Sequence, residues 1–146
     1  MKRIYRNFIV IISLLFLISC GGKTYMQINE IPIPEGVTDE KIEGAYEKNL
    51  DNASNKILAD LKKDFSDVSD KIYIVSGETD WDTIKTFYAG KLDEKGFERD
   101  GEILEDHKDY KIAVWRMDGI LSKEIVAVAL IDTGDNKKFL NIFHAK

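Results

Sequence analysis

The sequence predicts an α+β domain with an N-terminal helix, a strand, a second helix and then an antiparallel meander of three to four strands, the helices packing on the sheet. Three observations predict it. Apolar residues recur every three or four positions in two segments, the later half is rich in β-branched residues, and short polar turns divide that half. Such short links between neighbouring strands favour antiparallel pairing.

The first helix is predicted over residues 38–65. Thr38 is a suitable N-cap residue because its hydroxyl can accept a hydrogen bond from the first turn. An apolar stripe follows at helical spacing, formed by Ile42, Tyr46, Leu50, Ala53, Ile57, Leu61 and Phe65, with Leu58 beside it. Gly44 and a polar run lower the helix propensity, so a break near Asp51, giving two helices, is the open alternative.

Residues 71–75 are β-branched and aromatic and predict a strand. A second helix is expected between Asp80, which can cap it, and Gly96, which can take the left-handed conformation beyond its end. Phe97 would then contact Leu92, as in a Schellman motif. The buried face of this helix is predicted to contain Trp81, Ile84, Phe87, Tyr88 and Leu92.

The meander strands are predicted at 97–104, 110–117, 123–131 and 138–144, with turns at 106–109, 118–119 and 133–136. Residues 124–131 are apolar on both faces and therefore predict a central, doubly covered strand. One face is bulky and the other carries Ala127 and Ala129, which leave room for a close neighbour. Two arrangements stay open: one helix on each face, or both helices on one face and a partner on the other.

The N-terminus has the pattern of an export signal. Three basic residues precede an almost wholly apolar run over residues 8–18, which is shorter than the ~20 residues that a membrane span needs. Leu17-Ile18-Ser19-Cys20 then resembles the lipobox of bacterial lipoprotein precursors. The resemblance implies cleavage between Ser19 and Cys20, a diacylglyceryl group on the Cys20 thiol and acylation of the new amine.

This resemblance implies a removed signal peptide (1–19) and a lipidated Cys20. The small, polar residues that follow predict a short tether, so that residues 20–30 are the lipidated cysteine and tether, and the length and patterning of the remainder predict one α+β domain (31–146). Two acyl chains hold a protein firmly at a bilayer, whereas one does so marginally. Gly21 follows the cysteine where an aspartate would favour inner-membrane retention. The expected location is therefore the outer membrane of a Gram-negative envelope, or otherwise the outer face of the cytoplasmic membrane. An uncleaved anchor helix and a simple secretory signal are the alternatives.

The net charge and the cysteine content limit which partners and which covalent cross-links the chain can have. Without residues 1–19 the chain holds 18 basic and 26 acidic residues, a formal net charge of −8, which disfavours nucleic acid as a partner. Cys20 is the single cysteine, so an intramolecular disulfide is excluded. The expected partners are the bilayer, through acylated Cys20, and another envelope protein.

Two segments carry weak catalytic or metal-binding patterns. Asp132-Thr133-Gly134 resembles the signature of aspartic proteases, but that chemistry needs two such aspartates, and one copy here favours a hairpin turn. His107 lies in a loop with four carboxylates, an arrangement more typical of a solvated loop than of a metal site, and His144 is expected at the surface or as a cap. The loop carboxylates are Glu102, Glu105, Asp106 and Asp109.

Trp115, Met117 and Tyr73 are the candidate contact patch, since an open sheet face there would present them to a partner; a second core layer is the alternative interpretation. The sequence predicts no catalytic set, cofactor or metal. It favours a non-enzymatic, lipid-anchored envelope protein with a structural or protein-contact role. A small-ligand-binding lipoprotein is the second hypothesis, and a carboxylate hydrolase around Asp132 or the His107 loop is the third.

Overall fold

A computed structural model describes residues 25–39, 47–101, 106–119, 122–134 and 137–146. The predicted signal peptide and lipobox, including Ser19 and Cys20, lie outside these residues, as do Glu102 and Glu105 of the His107 loop. Within the described ranges, no helix combines the length and the apolar character needed to cross a bilayer.

The domain is a mixed α+β fold with an antiparallel sheet, as predicted. The elements are a 3₁₀ turn (Ile28–Glu30), α1 (Glu47–Asp64), β1 (Val68–Ser76), α2 (Trp81–Asp93), β2 (Glu98–Arg99), β3 (Tyr110–Asp118), β4 (Lys123–Asp132) and β5 (Lys137–Ala145). The sheet has five strands in the order β1-β5-β4-β3-β2, and every neighbouring pair is antiparallel. It is wider than the predicted meander because β1 pairs along the free side of β5.

Both faces of β4 are buried, and one helix covers each face. Helix α2 packs over the face that carries Val126, Val128 and Leu130. Helix α1 packs over the opposite face, where Ala127 and Ala129 leave space for it. Of the two arrangements left open by the sequence, the structure therefore has one helix on each side.

Helix α1 buries the predicted stripe through Leu50, Ala53 and Ile57. It passes through Asp51 without a break, so the two-helix alternative is wrong for residues 47–64. Thr38 does not begin the helix: its backbone forms an isolated bridge with Ile74, with N···O distances of 3.1 and 3.0 Å.

Helix α2 has the predicted caps. The Asp80 side chain accepts a hydrogen bond from the Thr83 amide at 2.9 Å, and this capping interaction, together with the Thr83 hydroxyl, lowers the pKa of Asp80. At the other end Gly96 has φ 85°, and the Phe97 amide donates to the Leu92 carbonyl at 3.0 Å. These bonds are those of a Schellman motif.

Strand β2 is much shorter than the predicted 97–104, since it covers two residues. The chain leaves the strand at Asp100 and turns at Gly101. Arg99 holds this corner because its guanidinium donates to the Asp100 and Val114 carbonyls at 2.8 and 2.9 Å.

The folded body begins before residue 31, where the sequence analysis placed its start. Met26 is buried and Ile28 packs against the α2 side of the core. Residues 25–30 of the predicted tether (20–30) therefore belong to the folded domain. The apolar side chains of Met26 and Ile28 pack this otherwise polar stretch against the core.

A polar cluster lies between α1 and the sheet. The buried Asn141 amide on β5 donates to the Ser54 hydroxyl of α1 at 2.8 Å. Asp70 on β1 is half-buried beside Asn141. Burial raises the pKa of Asp70, while the Asn141 hydrogen bond and the charge of Lys62 act in the opposite direction.

This cluster predicts a pH-dependent effect of Asp70→Asn. A carboxyl whose pKa is raised by folding contributes its stability below the ordinary value of 3.8 and loses it as pH rises through the raised pKa. We therefore expect the unfolding free energy of Asp70→Asn, measured relative to that of the wild type, to increase as pH rises from about 3 towards 7. Urea unfolding across that range checks it, with Asp51→Asn, on the exposed side of α1, controlling for net charge. A fall in the unfolding free energy of Asp70→Asn relative to the wild type over that range contradicts the expectation.

Candidate functional site

One groove in the described part of the chain lies at the end of the sheet where β4 finishes and β3, β5 and α2 begin. We call it the distal groove; its volume is about 360 Å³, and it is lined by Asp80, Trp81, His107, Lys108, Asp109, Tyr110, Lys111, Leu130, Asp132 and Lys138. Antiparallel strands bring these ends together, and Lys138 joins β5 to the start of α2 by donating to the Thr79 carbonyl at 2.8 Å. The fold thus unites the His107 loop and Asp132, which the sequence presented as unrelated segments.

The side chains of the distal groove are held by local contacts. The His107 ring stacks on Tyr110 with centroids 4.5 Å apart, and the Lys56 ammonium lies 5.9 Å from the centre of the Tyr110 ring. Lys111 forms an ion pair with Asp106 at 3.1 Å. The groove therefore has buried aromatic rings in its walls, a half-buried histidine stacked on one of them, and charges of both signs at its rim.

Asp132 takes part in the hairpin turn between β4 and β5. Its carboxylate accepts a hydrogen bond from the Gly134 amide at 2.9 Å, and Gly134 takes the left-handed conformation with φ 87°. These are the properties of an aspartate–glycine turn. The hairpin interpretation of the sequence is confirmed for the described residues 132–134.

The His107 loop shows no metal centre in the described residues, because no group of three histidine, cysteine, aspartate or glutamate side chains converges there or elsewhere in those ranges. Asp106 and Asp109 are exposed.

The candidate contact patch at Trp115, Met117 and Tyr73 is wrong. Trp115 and Tyr73 are buried in the core under α2, and Met117 packs against the same cluster. The reason is that α2 covers this face of the sheet, so the alternative interpretation, a second core layer, describes these residues.

The sequence analysis missed a buried pair at the other end of the sheet. His144, expected at the surface, is buried, and its Nε2 lies 2.8 Å from Oε1 of Glu124, which is also buried. Oε1 also accepts the Met26 amide, and in the tautomer with the proton on Nε2 the His144 ring donates to the same oxygen. The alternation of inward and outward side chains along each strand could have predicted this burial, because Glu124 and His144 share the inward face with Val126 and Ile142.

Glu124 also binds the start of the folded chain. Its Oε1 accepts the Met26 amide at 2.9 Å, while Oε2 has no hydrogen-bond partner among the described residues. One buried carboxylate oxygen thus joins β4, β5 and the segment that leads to the N-terminus. This interaction fixes where the chain enters the domain.

Comparisons with protein-family models, curated proteins and solved structures find no match to this chain. The chemistry of the two ends of the sheet therefore carries the functional argument.

The buried pair predicts a non-additive double-mutant cycle. Glu124→Leu leaves the His144 and Met26 donors without an acceptor and should lower the unfolding free energy by about 3–5 kcal/mol. Adding His144→Leu removes one of those donors and should recover part of the loss, because an apolar pair replaces a broken polar one. Urea unfolding of the variants measures the cycle.

Lys123→Leu, at the exposed neighbouring position, is the matched control and should change the unfolding free energy by less than about 0.5 kcal/mol. A double variant that loses the sum of the two single losses would show that Glu124 and His144 do not interact.

Proposed function

We propose that this chain is a lipid-anchored protein of the bacterial cell envelope, without catalytic activity, that presents the distal groove to another envelope protein. The lipobox at residues 17–20 supports the anchor, since it follows a basic start and an apolar run in the order that lipoprotein precursors show. The diacylglyceryl group and the N-acyl chain on Cys20 would supply firm attachment.

The observation that carries the proposal is the position at which the chain enters the fold. The Met26–Glu124 hydrogen bond holds residue 26 at the start of β4, whereas Asp132 and the distal groove lie at its end. Tyr25 is the fifth residue after Cys20, a reach of about 17 Å. Strand β4 has ten residues and spans about 30 Å, so the groove would point away from the bilayer into the envelope.

The chemistry of the groove supports a protein partner. The half-buried His107 ring, stacked on Tyr110, lies among three lysines and three aspartates of the groove. Charges of both signs suit a complementary protein surface, while the formal net charge of −8 after signal removal argues against nucleic acid. With Gly21 after the lipidated cysteine, the expected site is the outer membrane or, in an envelope with one membrane, its outer face.

A small-ligand-binding lipoprotein is the second candidate, favoured by the groove's size, because about 360 Å³ falls within the range of small-molecule sites. Lys111→Glu separates the two: a protein that co-purifies from detergent-solubilised membranes with the wild type but not with this variant supports the contact role. A small molecule that behaves in the same way supports the ligand-binding role.

The anchor predicts the behaviour of Cys20→Ala. Wild-type protein in growing cells should incorporate a labelled fatty acid and remain in the membrane fraction after a high-salt wash, because its acyl chains are buried in the bilayer. Cys20→Ala should incorporate none. Ser13→Ala, in the apolar run, is the matched control and should behave as the wild type does. Equal labelling of Cys20→Ala and the wild type contradicts lipidation at this position.

A further inference from the structure

The segment that joins the anchor to the domain is attached lightly. Residues 25–37, here named the strap, contain the 3₁₀ turn, which closes on itself: the Gln27 amide donates to the Glu30 carboxylate at 2.7 Å, and the Glu30 amide donates to the Gln27 carbonyl at 2.8 Å. Among the described residues, one hydrogen bond joins the strap to the rest of the domain, from the Met26 amide to Glu124. Beyond the strap, Thr38 is fixed by its bridge to Ile74.

The strap's side chains divide between the core and water. Met26 and Ile31 are buried, but Tyr25 and Ile33 are 36 and 44% exposed and are the large exposed hydrophobic residues of the described chain. Both therefore lie in the strap. The sheet and both helices are complete without it, since no strand or helix of the sheet layer includes strap residues.

Glu124 lowers the cost of opening. In the docked state its Oε2 is buried without a partner among the described residues, which is unfavourable for a carboxylate. Release of the strap would break the Met26 bond, and water would then solvate the carboxylate in its place. The buried side chains of Met26 and Ile31, with Ile28 and Val37 packed against the same core, keep the strap docked.

We propose that the strap is a releasable spacer that sets how far the domain stands from the membrane. This rests on the proposed lipid anchor. Docked, the chain from Cys20 reaches Tyr25 over about 17 Å; released as far as Thr38, it reaches over about 60 Å. The distal groove would then be able to bind partners at two distances from the membrane while the anchor stays in place.

Hydrogen exchange of the full lipidated chain in detergent tests the proposal. In the wild type, the amides of Met26, Glu30 and Ile31 should exchange at least about 100-fold faster than those of Val126, Val128 and Leu130, because local opening does not require unfolding of the sheet. Ile31→Ala should accelerate the strap amides a further 30-fold or so and leave the β4 amides within about twofold.

Ile33→Ala is the matched control, since it makes the same change two positions away at an exposed site, and it should leave both sets of rates unchanged. Strap and β4 amides that exchange at one common rate in the wild type would overturn the proposal, as would an equal acceleration of both by Ile31→Ala. Fatty-acid labelling of Cys20 is scored separately. The exchange pattern therefore reports on the strap even if the anchor proposal fails.

Discussion

The burial of β4 on both faces is the constraint on which the rest of this fold depends. A strand that is apolar on each side must be covered twice, and the two helices do so with different partners. Bulky side chains at 126, 128 and 130 meet α2, while Ala127 and Ala129 let α1 approach. Strands β3 and β5 pair along its two sides and keep it central. The position of β4 therefore explains the α+β architecture more directly than the propensity of either helix.

Glu124, a polar residue at the buried start of β4, affects how the N-terminal segment is positioned. Glu124 lies on the inward face, and a buried carboxylate needs donors. His144 supplies one from β5 and the Met26 amide supplies the other. The Met26–Glu124 hydrogen bond thus aligns the N-terminal segment with β4, while the burial of Met26 and Ile31 holds the segment on the core. It also sets the two ends of the molecule apart, with the chain's point of attachment at one and the distal groove at the other.

Local signals in the sequence were sufficient for α2 and for strands β3 to β5, because Asp80, Gly96 and the polar turns act on their immediate neighbours; they did not predict the short length of β2. Pairing between β1 and β5 was not predictable, since neither segment contains a local feature that specifies which strand it pairs with. His144 was misjudged for the same reason: its burial depends on Glu124 across the sheet. Residues of the distal groove, such as His107 and Asp132, were noticed singly. Their convergence required the strand order, which periodicity does not contain.

We propose that lipid at Cys20 holds the Lys123 end of the sheet against the bilayer. Energy transfer from a fluorophore to acceptors in the bilayer tests it most directly, with the lipidated protein in vesicles labelled through Lys123→Cys or Lys111→Cys. Both positions are exposed, and Lys111 pairs with Leu130, about 23 Å farther along β4 from Lys123. The account predicts strong transfer from position 123 and much weaker transfer from position 111. Equal transfer from the two positions, or none from either, would contradict it.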